Sequence, residues 1–118
     1  MTGIATTFAA YFQDINTGDY PAAYALLDAN AQAQTSLQQF TDGASTSYDF
    51  NFTLGTITTQ PDGTDEVPLS FTSVQDAAYG PNGDTCDNWT LDYTMINNGG
   101  TWLIDSAAGQ GGSTHTTC

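Results

Sequence analysis

Lysine and arginine are absent from this 118-residue chain, which carries thirteen Asp and Glu, one His and a formal net charge of −13 at pH 7. Ordinary composition would place on the order of fourteen cations in a chain of this length. Without guanidinium or ammonium side chains nothing neutralises phosphates, so neither nucleic acid nor direct binding to an anionic membrane surface is expected. Schiff-base lysines, arginine clamps on phosphoryl groups and Lys–acid ion pairs are excluded as well. The fold must rest on apolar burial and neutral hydrogen bonds, while unpaired acids repel one another. Halophilic adaptation fits poorly, because only 11% of residues are charged: bases are missing, and acids are not in excess. Deliberate engineering of a Lys/Arg-free variant is the competing explanation.

Other scarcities narrow the class. No apolar run approaches the roughly 18 residues of a membrane span. The segment from Met1 has no basic n-region, so an export signal or anchor is expected to be missing from this sequence. Length fits one domain with a single core, and two Trp, six Tyr and six Phe argue against disorder. Cys86 and Cys118 are the only cysteines. An even count in a small Thr/Gly/Asn-rich domain reads as one disulfide and an extracellular or cell-envelope location, with two free thiols as the alternative. Such a bridge would tie down the terminal GQGGSTHTT segment.

Ile4, Phe8, Tyr11, Phe12 and Ile15 recur at helical spacing and predict a helix over 3–17, capped by Thr2 and ended by Gly18. Asp19 caps a second helix that tolerates Pro21 in its first turn and buries Tyr20, Ala23, Tyr24 and Leu27. A short third helix is expected from Ser36 to Thr41, closed by Gly43. The period then changes from 3.6 to 2. Tyr48, Phe50, Phe52 and Leu54 alternate with polar residues as the inward face of a strand, with a bulge at Gly55. Val67, Leu69 and Phe71 mark a second strand, and Trp89, Leu91, Tyr93 and Met95 a third. TWLIDSA is the fourth, joined by the hairpin signal Asn97-Asn98-Gly99-Gly100. The whole reads as one α+β domain. N-terminal helices (about 3–42) pack into a curved, mostly antiparallel four-stranded sheet (about 46–108), followed by a tail (109–118).

The segments YFQDINTGDYPAAYALLDANA and WTLDYTMINNGGTWLIDSA resemble the nuclear transport factor two-like superfamily, the cone-shaped SnoaL and ketosteroid-isomerase fold. Within it the chain is most similar to small exported actinobacterial domains. The resemblance spans almost the whole chain and implies a cavity between sheet and long helix. Isomerases, cyclases, dehydratases, scaffolds and noncatalytic sensors share that fold, so fold alone does not choose among them. Compared with ketosteroid isomerase, Tyr11 matches the oxyanion-hole tyrosine, eight residues before the Asp19 of the helix break. The place of that enzyme's carboxylate base falls on Thr35, between Gln34 and Ser36, where there is no acid. Asp14, one helical turn from Tyr11, is the substitute candidate.

Other chemical signals are thin. His115 and Cys118 resemble half of a metal site with no second ligand pair. The groups Asp62, Asp65, Glu66 and Asn82, Asp84, Asp87 are oxygen-rich but lack EF-hand spacing. No metal and no cofactor is expected. The aromatic set Tyr11, Tyr24, Phe50, Phe52, Trp89, Tyr93 and Trp102 either fills the core or lines a ligand pocket. The leading expectation is a noncatalytic exported domain that binds a small apolar ligand or a partner protein, with homodimerisation compatible. A small isomerase, cyclase or dehydratase centred on Tyr11 is the alternative, and a ligand-free engineered scaffold a third.

Overall fold

The computed structural model describes residues 3–110 and 114–118. Helix α1 (Gly3–Thr17) buries Ile4, Phe8, Phe12 and Ile15 along one stripe, as the spacing predicts; its expected cap, Thr2, lies outside the described residues. Gly18, at φ 88°, ends α1 in the left-handed region. The Asp19 carboxylate then accepts from Ala22 N and starts α2 (Tyr20–Tyr24). This second helix is shorter than the sequence pattern implies. Leu27 leaves it to bridge Ile104: Ile104 N donates to Leu26 O at 2.9 Å and Asp28 N to Ile104 O at 2.9 Å. Asp28 then caps an additional helix, α3 (Ala29–Gln34), accepting from Ala31 N at 2.8 Å. Helix α4 (Leu37–Ala44) opens with a reciprocal Ser36–Gln39 capping box and runs just past Gly43.

The sheet comprises β1 (Tyr48–Leu54), β2 (Thr58–Thr59), β3 (Asp65–Val74), β4 (Cys86–Asn98), β5 (Thr101–Gly109) and β6 (His115–Thr117). Four long strands run in the order β1-β3-β4-β5, all antiparallel, with short β2 on β3 and short β6 on β4. Val67, Leu69 and Phe71 alternate inward as expected, and Tyr93 and Met95 join them in the core. The β4–β5 hairpin turns on Gly99 and Gly100, both at positive φ, with Asn97 Oδ1 accepting from Gly100 N. The molecule is an open α+β cone: a curved sheet wrapped over α1, with α2–α4 at its flank.

Strand β1 overturns one expectation. Tyr48, Phe52 and Leu54 are 54%, 44% and 40% exposed, while Asp49 is 6% exposed. Phe50 pairs with Thr72 and Thr53 with Ser70, so Asn51 and Phe52 together oppose Phe71. Asn51 sits at φ 60°, a region Asn enters more readily than most residues. The bulge is therefore here and not at Gly55, and it sets which side chains face inward.

The terminal segment is also more than a tail. Cys86 and Cys118 form a disulfide, and Asp87, Asn88 and Trp89 pair with Thr117, Thr116 and His115. The chain turns into β4 at 81–84 through a very close approach. A Cβ on Gly80 would collide with the Asp84 carbonyl, so only glycine fits. Among the described residues no helix is long and apolar enough to cross a membrane.

Candidate functional site

A cavity of about 330 Å³ opens between α1, α4 and the inner face of the sheet. Its walls are aromatic and aliphatic: Phe12 and Ile15 from α1, Phe40 from α4, Phe71, Trp89 and Leu91 from the sheet. Its polar groups are few, chiefly Tyr11, Tyr93, Ser47, Asp49, Ser73 and Gln75.

Helical spacing puts Tyr11 on the flank of the stripe that buries Phe8 and Phe12. Its ring meets Phe12 edge-on at 5.0 Å and lies 6.1 Å from Phe40. Tyr93 comes from the middle of β4 and packs edge-on against Phe8 at 5.0 Å. Among the described residues neither phenol has a hydrogen-bonded partner. Asp49 is turned inward at the start of β1, and Asn16 of α1 clamps its backbone. Ser47 Oγ donates to Asp49 Oδ1 at 3.1 Å.

Burial pushes the Asp49 carboxyl up to about 6, against a smaller downward pull from the Ser47 hydroxyl. Burial, then the charge on Asp49, raises Tyr11 well above the usual phenol range. Burial, Tyr11 and Asp49 together do the same for Tyr93. Both phenols thus stay protonated, as neutral donors beside a carboxylate that changes charge near pH 6. Beside Asp49 on the same sheet face, its cross-strand partner Ser73 accepts from Trp89 Nε1 at 2.8 Å and donates through Oγ to Gln75 Oε1 at 2.6 Å. These side chains can bind a polar atom of a mostly apolar molecule, or move a proton on it.

Of the seven aromatics singled out in the sequence, Tyr11, Trp89 and Tyr93 line this cavity. Tyr24 does not: its hydroxyl donates to Thr35 O at 2.7 Å and fastens the α3–α4 link. Phe50 lines neither this cavity nor the neighbouring groove, and its ring lies tilted 6.2 Å from that of Tyr48; Trp102 covers Gly3. Phe52 lines a second, larger groove of about 580 Å³ between α1 and β1, with Tyr48, Leu54 and Leu69. Asp14 lines neither space; its carbonyl accepts from Asp19 N at the helix break. The carboxylate beside Tyr11 is Asp49, which alternation with aromatic neighbours disguised as an outward residue. Asn51, a residue at ease in a bulge, was the available signal.

The acids of the 61–66 turn are engaged locally. Asp62 accepts from Thr64 N and Oγ1, and those bonds hold its carboxyl below the usual range. Asp65 accepts from Thr59.

An open cone of helices and antiparallel sheet with an internal cavity defines the class of fold. The solved structure of Aln2 from a Streptomyces species shares it, with a TM-score of 0.63 over 88% of this chain and 84% of that one, at 14% identity. That likeness concerns the fold alone. No family model and no curated protein matches the chain.

Proposed function

We propose that this is an exported binding domain of the nuclear transport factor two-like superfamily, whose cavity takes a small, largely apolar ligand. The ligand carries a hydrogen-bond acceptor or a basic nitrogen. The observation behind this reading is the meeting of two protonated phenols, Tyr11 and Tyr93, with the buried Asp49 carboxylate inside aromatic walls. The cavity volume falls at the lower end of the range of about 300–1,000 Å³ used for small molecules. Phenol donors suit a carbonyl or ether oxygen, and ionised Asp49 suits an amine; the net charge of −13 disfavours anions. The Cys86–Cys118 disulfide supports an oxidising, extracellular or envelope setting.

A fragment screen by protein NMR, comparing aromatic amines and neutral ketones with aromatic carboxylates, tests the proposal. Amines and ketones should shift Tyr11, Trp89 and Tyr93, and Tyr11→Phe with Asp49→Asn should weaken them at least tenfold. Carboxylates binding best, or shifts confined to Tyr48 and Leu54, would overturn it.

Proton-transfer catalysis is the second reading, favoured by a carboxyl titrating near 6 beside two phenols. Asp49 would take a proton α to a carbonyl while Tyr11 and Tyr93 stabilise the enolate oxygen. Deuterium uptake by an enolisable cyclic ketone, abolished in Asp49→Asn, would support this reading; uptake no faster than in buffer would reject it.

A further inference from the structure

Asp84, Asp87 and His115 each offer a ligand atom within 4.8 Å of the others. The three come from separate pieces of chain: the end of the 81–84 turn, the start of β4, and β6. Pairing of Trp89 with His115 and of Asp87 with Thr117 sets the register, and the disulfide holds both strands together just beyond it.

Asp87 is the telling member. It is 0% exposed. Its Oδ2 accepts from Gln75 Nε2 at 2.9 Å, yet its buried Oδ1 has no hydrogen-bond partner among the described residues. A buried carboxylate oxygen left unpaired is costly, and no lysine or arginine exists in this chain to satisfy it. His115 is turned towards the acids. Its Nε2 stands 4.0 Å from Asp84 Oδ2, too long for a hydrogen bond but within the span of two ligands that share one ion at about 2.0–2.2 Å. Its Nδ1 lies 2.7 Å from Thr114 Oγ1. With Nδ1 protonated and donating there, the Nε2 lone pair is left for the carboxylates' side, which is how outer partners orient metal-bound imidazoles. Thr117 Oγ1 donates to Asp84 Oδ2 at 3.1 Å and steadies the second acid.

We propose that Asp84, Asp87 and His115 bind a divalent transition-metal ion of the zinc type. One imidazole and two carboxylates suit zinc or cobalt(II); calcium takes oxygen ligands and would leave the histidine unused. Asp84 and His115 are half-buried and give access from solvent, while Asp87 closes the inner side. Gln75 and Trp89 belong both to the cavity wall and to the surroundings of this cluster, so the metal would brace that wall.

Titration of the oxidised, chelator-treated chain with zinc chloride, followed by calorimetry, tests the assignment. One ion per chain is expected, with affinity reduced at least tenfold in His115→Gln and in Asp87→Asn. Asp62→Asn, in the other acidic turn, should change nothing. Because Asp87→Asn disturbs a buried position, His115→Gln and a fluorescence arm carry the test independently. The Trp89 ring centroid lies 5.1 Å from that of His115, so cobalt(II) should quench Trp89 emission and zinc should restore it. No binding, or binding untouched by His115→Gln and matched by calcium, would overturn the site in favour of diffuse attraction to acidic surface.

Discussion

Asn16 clasps the backbone of Asp49 from both sides: its Oδ1 accepts from Asp49 N at 2.9 Å and its Nδ2 donates to Asp49 O at 2.8 Å. One amide side chain at the end of α1 thus replaces a missing strand neighbour for the first residues of β1. It also steadies the stretch of backbone from which the Asp49 carboxylate projects. The position of the acid that lines the cavity rests on a residue that lies outside the cavity.

Asn16→Ala should therefore lower stability by about 1–3 kcal/mol, the worth of two partly buried hydrogen bonds. Urea unfolding measures that loss. Carboxyl NMR should show Asp49 titrating closer to the ordinary Asp value as the strand loosens and water reaches it. Full stability in this variant would mean that the sheet alone fixes β1.

Asp49 gives stability a pH dependence of unusual sign for an acid. Its carboxyl titrates near 6 in the fold and near 3.8 when unfolded, so between those values the folded chain holds the extra proton. Stability falls as pH rises through that window, and above it the penalty is constant. Asp49→Asn should flatten this part of the profile and stabilise the protein at pH 7 by up to about 3 kcal/mol. Buried Asp28 and Asp87 are raised in the same direction, so some slope should persist in the variant. Unfolding midpoints at pH 4 and pH 7 for both proteins decide the matter.

Replacing Cys86 and Cys118 by serine opens a loop with a sequence separation of 32. The chain-entropy relation puts the cost at roughly 3–4 kcal/mol. Amide exchange should accelerate first at 115–117, because β6 joins the sheet through a short ladder, Asp87 to Thr117, Asn88 to Thr116 and Trp89 to His115. Uniform acceleration across β3 and β4 would show instead that the bridge supports the whole core.

Thirteen acids without a lysine or arginine predict stabilisation by salt. Raising sodium chloride from about 20 mM to about 500 mM shortens the screening length several-fold and should raise Tm at pH 7. The gain should shrink at pH 3, where most carboxylates are protonated. A flat or falling Tm at pH 7 would contradict the repulsion argument.

Much of the architecture was legible where local pattern and burial agree. α1 has one uninterrupted apolar stripe, β3 alternates cleanly because helix packs on one face, and two glycines announce the β4–β5 turn. The second helix was misread because Leu27 fits a helical stripe equally well as a bridge to Ile104, and only tertiary pairing separates the two. Asp28, a good N-cap, marked the start of α3 but stood inside an apparent helix. In β1 the two-against-one bulge at Asn51 and Phe52 broke the period on which the burial pattern depended. That single slip hid Asp49. Tyr11 was accessible from helical spacing and from resemblance; its carboxylate neighbour was not, because it lies on an edge strand whose partner is known only from the fold. His115 looked like part of a loose tail until its pairing with Trp89 placed it beside Asp84 and Asp87.

The bridge between Cys86 and Cys118 also defines a path for mechanical load. Tension applied at Cys118 passes through sulfur to Cys86 and onward to the residues that precede it, bypassing residues 87–117. In a pulling experiment the oxidised protein would lengthen only by the part up to Cys86, at about 3.3–3.6 Å per residue. Most of β4, the whole β4–β5 hairpin and His115 would stay slack while α1 and β1 tear away. A reductant would put that shielded part under force, making the thiol state a switch for how far the molecule can be stretched.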